Sequence, residues 1–159
     1  MYDFTADDVF EMAEQLERNG AKFYREAARH TDNPEYKKLL QMLSDMEIEH
    51  EKIFIKLRSE LSGNEKSSTV FDPQNESVLY LRALADTKVF FEKEIDFSSM
   101  KSVLKAAILA EKDSIVFYLG MKEMVPDKFG KDKLDNIIKE EMGHIRILSN
   151  ELKAIKDPH

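Results

Sequence analysis

The chain has 159 residues, of which 42% are hydrophobic and 35% charged, and its formal net charge at pH 7 is −7. This length and composition predict one globular domain over residues 1–159, and the acidic balance argues against general nucleic-acid binding. The complete absence of cysteine excludes disulfides, thiolate catalysis and thiolate-bound iron–sulfur or zinc sites. No apolar run approaches the roughly 20 residues of a membrane span and no leader pattern opens the chain, so we expect a cytoplasmic protein without a membrane partner.

The first two helices are predicted to form an antiparallel hairpin. The first should begin near residue 6, after a cap at Thr5, and run to about residue 30. Its apolar residues recur at steps of three and four, but Glu17 interrupts the apolar face, where a charge is costly unless it is paired or bound to a metal. Asn33 and Pro34 supply the cap and first residue of the second helix, which should end before Gly63.

The second helix carries Glu47-x-x-His50 on its apolar face. Residues three apart on a helix lie on the same face, about one turn along the axis, so this carboxylate and imidazole can close on one cation. A single Glu-x-x-His is weak evidence, because 31 of the 159 residues are acidic.

Residues 62–98 are predicted to be a crossover that carries the chain from one end of a bundle to the other. They begin with a loop-like stretch over 62–75, and a short apolar helix follows around Leu79 and Leu81. Phe71, Phe90 and Phe91 are candidates either for an intersubunit patch or for a cover over the bundle.

The third and fourth helices repeat the pattern of the first two. The third should start after Ser98 and Ser99, and a break at Pro126-Asp127 and Gly130 precedes the fourth. An offset of 94 residues relates Glu17 to Glu111, Phe23-Tyr24 to Phe117-Tyr118, Glu47 to Glu141, and His50 to His144. We interpret this as a duplicated helical hairpin whose two copies each contribute half of one site.

Four glutamates and two histidines are therefore predicted to bind two metal ions. A lone Glu on an apolar face is more often a boundary residue, and a lone His more often a core residue, but the shared offset favours ligands. Two divalent cations would balance four carboxylates that otherwise repel one another, and such a set is found in di-iron and di-manganese bundles. Glu17 and Glu111 are expected to be the bridging carboxylates. The predicted ligands are Glu17, Glu47, His50, Glu111, Glu141 and His144.

Tyr24 and Tyr118 each lie seven residues beyond a predicted ligand and on the same helix face. The favoured interpretation is a core aromatic whose hydroxyl bonds to some polar group. The alternative is a hydrogen bond to a ligand carboxylate, or a role as electron donor.

Over nearly its whole length the sequence resembles the rubrerythrin branch of the ferritin-like superfamily. The resemblance rests on Glu17 with Phe23-Tyr24, Glu47-x-x-His50, Glu111 with Phe117-Tyr118, and Glu141-x-x-His144. It implies an all-α ferritin-like four-helix bundle, with a long crossover between the second and third helices and the six residues as ligands of two iron ions. Donor chemistry alone suits manganese equally well.

The resemblance implies a di-iron oxidoreductase that reduces peroxide or dioxygen or oxidises Fe(II). Rubrerythrin proper also has a cysteine-bound iron in a rubredoxin domain, so without cysteine this chain should take electrons from a separate protein. The family's peroxidases carry an extra carboxylate one turn after the third-helix Glu, where this chain has Ser114. That difference keeps open a non-catalytic iron-binding protein or an interaction bundle. Dimerisation, common among ferritin-like bundles, is compatible with either function.

Overall fold

The structure is a computed structural model, and it describes residues 5–61, 76, 79–81, 83, 95–125 and 130–155. Within these ranges the chain is helical and contains no strand, as the all-α prediction requires. The four long helices are α1 (Ala6–Arg29), α2 (Pro34–Ser59), α3 (Met100–Met124) and α4 (Lys131–Ala154). Among the described helices, none has the length and apolar character that crossing a membrane would require.

Side-chain caps fix the starts of the first three helices where the sequence predicts them. The Thr5 hydroxyl accepts from the Asp8 N–H at 3.2 Å, while the Asp8 carboxylate accepts from the Thr5 N–H at 2.8 Å. The Asn33 side chain accepts from the Glu35 and Tyr36 N–H groups at the start of α2, and Ser99 accepts from the Ser102 N–H at the start of α3. These caps satisfy amide donors that a helix start leaves without an intrahelical partner.

Two apolar clusters lie at opposite ends of the bundle and define how the helices run. The first joins the start of α1, the ends of α2 and α3, and the start of α4; the second joins the end of α1, the starts of α2 and α3, and the end of α4. Hence α1 is antiparallel to α2 and α3, and α4 runs parallel to α1. The first cluster includes Phe10, Phe54, Phe117 and Ile137, and the second includes Tyr24, Leu40, Leu104 and Leu148.

The two ends of the connection between α2 and α3 lie at opposite ends of the bundle. Leu57 near the end of α2 and Leu61 just after it lie in the first cluster, whereas Val103 near the start of α3 lies in the second. A helix of this size is roughly 37 Å long, which no short turn can span. Residues 79–81 are helical, and Leu81 is fully buried in the first cluster.

Much of the predicted crossover lies outside the described residues. This applies to the loop-like stretch over 62–75 and therefore to Phe71, and it applies equally to Phe90 and Phe91. The break at Pro126-Asp127 is outside them too, although Gly130, at its end, is described and precedes α4.

Replacing Leu81 by Ala should lower the free energy of unfolding by about 2–5 kcal/mol, because a fully buried side chain is truncated. Leu79, two residues earlier and 54% exposed, is the matched control, and Leu79→Ala should change stability by less than about 0.5 kcal/mol. Urea denaturation measures both. Equal effects of the two substitutions would contradict the packing of this segment on the bundle.

Candidate metal centre

A layer of buried polar residues lies between the two apolar clusters. Along α1 the layer is reached at Glu17, between Leu16 of the first cluster and Tyr24 of the second. In each of the other three helices the polar residues likewise lie between a residue of one cluster and a residue of the other. Each helix contributes one Glu, and α2 and α4 each add a His. The layer comprises Glu17, Glu47, His50, Glu111, Glu141 and His144, none more than 5% exposed.

These six residues form two overlapping groups of potential ligands. The His50 group consists of Glu17, Glu47, His50 and Glu141, and the His144 group of Glu47, Glu111, Glu141 and His144; within each group the ligand atoms lie within 4.8 Å of one another. All six predicted ligands are thus brought together. Each group draws on three helices, so neither hairpin completes a group alone.

Glu47 and Glu141 are the carboxylates common to both groups. The expectation that Glu17 and Glu111 would be shared does not match this geometry, because each of them lies in one group only, near that group's own histidine. The Nδ1 atom of His50 is 3.5 Å from Glu17 Oε2, and the Nδ1 atom of His144 is 3.4 Å from Glu111 Oε1.

Glu141 lies between the two imidazoles. Its Oε1 is 2.9 Å from His50 Nδ1, and its Oε2 is 3.2 Å from His144 Nδ1. The rings are close to parallel, at 21°, with centroids 6.1 Å apart. Both histidines therefore present Nδ1 to the carboxylates of the layer and direct Nε2 away from the layer.

The two tyrosines hold carboxylates on the opposite helix. Tyr24 of α1 donates its hydroxyl to Glu111 Oε1 of α3 at 2.5 Å, and Tyr118 of α3 donates to Glu17 Oε1 of α1 at 2.5 Å. The geometry therefore matches the alternative interpretation from the sequence, a hydrogen bond to a carboxylate of the predicted site. Each hydroxyl meets the glutamate of the other hairpin rather than that of its own helix.

The surroundings of the layer shift the pKa values of its carboxylates in opposite directions. Burial, reinforced by Glu47, raises the pKa of Glu17 well above its ordinary value. Burial likewise raises the pKa of Glu111, here with help from Glu141. Burial also acts on Glu141, but hydrogen bonds with Glu111, His144 and His50 outweigh it and hold the Glu141 pKa well below its ordinary value.

The histidines respond to the same negative field. Burial alone would lower the pKa of His144, but close contacts with the Glu111, Glu141 and Glu47 carboxylates raise it to about 12. The pKa of His50 is also raised, because contacts with Glu141 and Glu140 outweigh the effect of burial. The layer therefore attracts positive charge, which is the property that a cation site requires.

The donor set fits a divalent cation in each group. Among the described residues, the buried oxygens Glu17 Oε2 and Glu47 Oε1 have no hydrogen-bond donor. A buried acceptor without a partner costs about 1–3 kcal/mol, and a cation among the carboxylates would remove that cost. Carboxylate oxygens combined with imidazole nitrogens suit iron and manganese.

Comparison with known families assigns the chain. The family model described as Rubrerythrin matches residues 8–152. The chain belongs to the rubrerythrin family. A solved structure from Thermotoga maritima, described as a ferritin-like diiron-carboxylate protein, superimposes with a TM-score of 0.72 at 28% sequence identity, over 97% of this chain and 98% of that one. No curated protein matches. The predicted ferritin-like bundle is confirmed.

Two contacts made by the outer nitrogens of the histidines, their Nε2 atoms, were not predicted from the sequence. Glu140 Oε2 lies 2.5 Å from His50 Nε2, and Met46 Sδ lies 3.3 Å from His144 Nε2. Both residues immediately precede a shared glutamate, and the 94-residue offset relates them. That offset was the available signal, although periodicity alone does not show that either side chain reaches a histidine on another helix.

The metal-free protein should lose stability as the pH rises from roughly 5 to 8. Glu17 and Glu111 have folded pKa values above their ordinary 4.5. His50 and His144 have folded pKa values above their ordinary 6.5. The folded chain therefore binds more protons than the unfolded chain in this range, and the stability that these groups contribute at low pH is lost. The depressed pKa of Glu141 acts only below its ordinary 4.5.

Denaturation in chelator across this range measures the effect. Added Mn(II) should restore stability at about pH 8, since the ligands bind a metal in their deprotonated forms. Metal-free stability that rises steadily over the range would contradict the electrostatic account.

Tyr118→Phe should destabilise the metal-free protein by about 1–3 kcal/mol, because it leaves the buried Glu17 Oε1 without its donor. Tyr80→Phe, which removes an exposed hydroxyl, should change stability by less than about 0.5 kcal/mol. Both values come from thermal or chemical denaturation. A Tyr118→Phe protein as stable as the Tyr80→Phe control would refute this role of the hydrogen bond.

Proposed function

We propose that the protein is a rubrerythrin-like di-iron oxidoreductase that reduces peroxide or dioxygen, or oxidises Fe(II). The observation that carries the proposal is the sharing of Glu47 and Glu141 between the His50 group and the His144 group. Two shared carboxylates would hold two ions close to each other, whereas separate groups would give independent mononuclear sites. Membership of the rubrerythrin family and the similarity to a described diiron-carboxylate protein support the choice of iron.

In this proposal each group holds one iron ion, and manganese is the alternative because the same donors suit it. Two divalent ions neutralise the four carboxylates, while the imidazoles add neutral donors. When bound, such a pair supplies two electrons together and Lewis acidity towards an oxygen-containing substrate.

The chain's own residues prepare the site for such chemistry. The Tyr24 and Tyr118 hydroxyls hold Glu111 and Glu17 in place, and the apolar clusters above and below exclude water. Burial, reinforced by Glu111, raises the pKa of Tyr24. Burial, reinforced by Glu17, does the same at Tyr118. Both phenols therefore stay protonated at neutral pH and act as hydrogen-bond donors to the carboxylates.

The partners in this proposal are a small oxidant and a separate electron-donor protein. Because the chain has no cysteine, it offers no thiolate ligands for an electron-relaying iron centre. The proposal requires neither nucleic acid nor a membrane surface, and it is compatible with a homodimer.

Ser114 favours a second candidate, an iron-binding protein that does not turn over. Ser114 lies one turn beyond Glu111 in α3, at the position where the resemblance places the extra carboxylate of the family's peroxidases. A serine hydroxyl cannot supply the anionic oxygen ligand that a carboxylate would provide at this position. Iron binding would then persist without rapid reaction with peroxide.

Metal analysis of protein purified without chelator tests the site common to both candidates. We expect about two ions per chain, with iron predominant. His50→Ala and His144→Ala should each lower the metal content, because each removes one nitrogen ligand. His30→Ala is the control: His30 is an exposed residue at the end of α1 and should leave the metal content unchanged. Unchanged metal content in both site variants would contradict the proposed ligands.

Stopped-flow absorbance separates the two candidates. Protein loaded anaerobically with Fe(II) is mixed with stoichiometric peroxide, and in a parallel experiment with dioxygen and excess Fe(II). Oxidation that is rapid compared with free Fe(II) supports the oxidoreductase and identifies its oxidant. Full iron loading without accelerated oxidation by either oxidant would favour the non-catalytic iron-binding protein.

A further inference from the structure

The outer nitrogens of the two histidines meet chemically different partners. His50 of α2 directs Nε2 to the Glu140 carboxylate of α4, while His144 of α4 directs Nε2 to the Met46 thioether of α2. Glu140 and Met46 occupy equivalent positions, each one residue before a shared glutamate. The approximate symmetry of the six-residue layer is therefore broken immediately outside it.

This difference matters because each histidine presents Nδ1 to the carboxylates. With a metal on Nδ1, the imidazole carries its proton on Nε2 and can donate it outwards. A carboxylate acceptor fixes the ring orientation and increases the basicity of the ligand nitrogen. A thioether is only a weak acceptor and gives little of either effect.

We infer that the two metal positions are unequal, and that the His50 group binds its ion more tightly than the His144 group because Glu140 positions His50. This inference rests on the proposed function for the presence of two ions, and it adds their order of filling. Glu140 is a positioning residue, since it contacts the histidine rather than a member of the shared carboxylate pair.

The surroundings of Met46 agree with a weaker His144 position. Met46 is partly exposed and lines a surface groove of about 420 Å³ along α2, together with Lys38, Gln41, Met42, Asp45 and Glu49. His144 is therefore separated from the groove by a flexible thioether side chain. At the equivalent place beside His50 lies the charged carboxylate of Glu140, which forms a hydrogen bond with His50 Nε2.

Glu140 is itself 49% exposed in its side chain. Solvent weakens the contact with His50 relative to a buried carboxylate, so the expected effect lies at the lower end of the range for such partners, about tenfold in metal affinity. An effect of this size is sufficient to set the order in which two neighbouring positions fill.

Co(II) titration of metal-free protein, followed by native mass spectrometry, gives the two stepwise binding constants. The wild type should bind two ions, with constants separated beyond the statistical ratio for two equal positions. Glu140→Gln should weaken the first constant by about tenfold and bring the two together. Met46→Glu should strengthen the second constant, and Met46→Leu should leave both constants unchanged.

Glu49→Gln is the control for loss of one negative charge, because Glu49 is exposed on α2 and pairs with Lys52. Thermal denaturation of the metal-free Glu140→Gln protein, expected to match the wild type closely, separates positioning from a loss of fold. As a direct readout, ¹H NMR of the one-equivalent Co(II) protein should show a shifted imidazole N–H signal that exchanges faster with water in Glu140→Gln.

Equal responses of the first constant to Glu140→Gln and Glu49→Gln would overturn the inference and leave the proposed function intact. Two equal stepwise binding constants in the wild type would also overturn the inference and leave the proposed function intact. Binding of fewer than two Co(II) ions by the wild type would overturn the proposed function together with this inference.

Discussion

The structure depends on the burial of four carboxylates in a layer between two apolar clusters. Ionised carboxylates this close together repel strongly, and without compensation their burial would oppose folding. In the metal-free chain, the raised pKa values of Glu17 and Glu111 and the raised pKa values of the two histidines reduce this cost. A pair of divalent cations would remove it more completely, which is why the layer is better explained as a metal centre than as a structural network.

The arrangement of helices follows from the need to complete that layer. Tyr24 of the first helix and Tyr118 of the third each donate a hydrogen bond to the glutamate of the other helix. In the same way, His50 of the second helix contacts Glu140 of the fourth, and His144 of the fourth contacts Met46 of the second. Such exchange requires the first helix to face the third, and the second to face the fourth, each pair antiparallel. This orientation requires a connection between the second and third helices that joins opposite ends of the bundle, which a short turn cannot do.

Much of the fold and all six residues of the layer could be predicted from the sequence. Thr5, Asn33 and Pro34 mark helix starts through local hydrogen bonding and backbone restriction, which do not depend on the tertiary structure. The 94-residue offset identified the six polar residues because each interrupts an apolar face of period three to four. The duplication itself, and the treatment of the chain as one domain, stay predictions.

The relations between helices could not be predicted in the same way. Periodicity shows which face of a helix is buried, but not which neighbouring helix that face meets. The prediction that Glu17 and Glu111 are the shared carboxylates was therefore wrong, and the hydrogen bond between Tyr24 and Glu111 was not predicted. The roles of Met46 and Glu140 were not predicted either, because contact with a histidine on another helix leaves no periodic pattern.

Anomalous X-ray diffraction from crystals loaded with Fe(II) or Mn(II) tests the central claim most directly, since it locates each ion without reference to activity. We predict two peaks about 4 Å apart in the buried layer, with Glu47 and Glu141 contacting both ions. A single peak in the layer, or peaks confined to surface carboxylates, would contradict it.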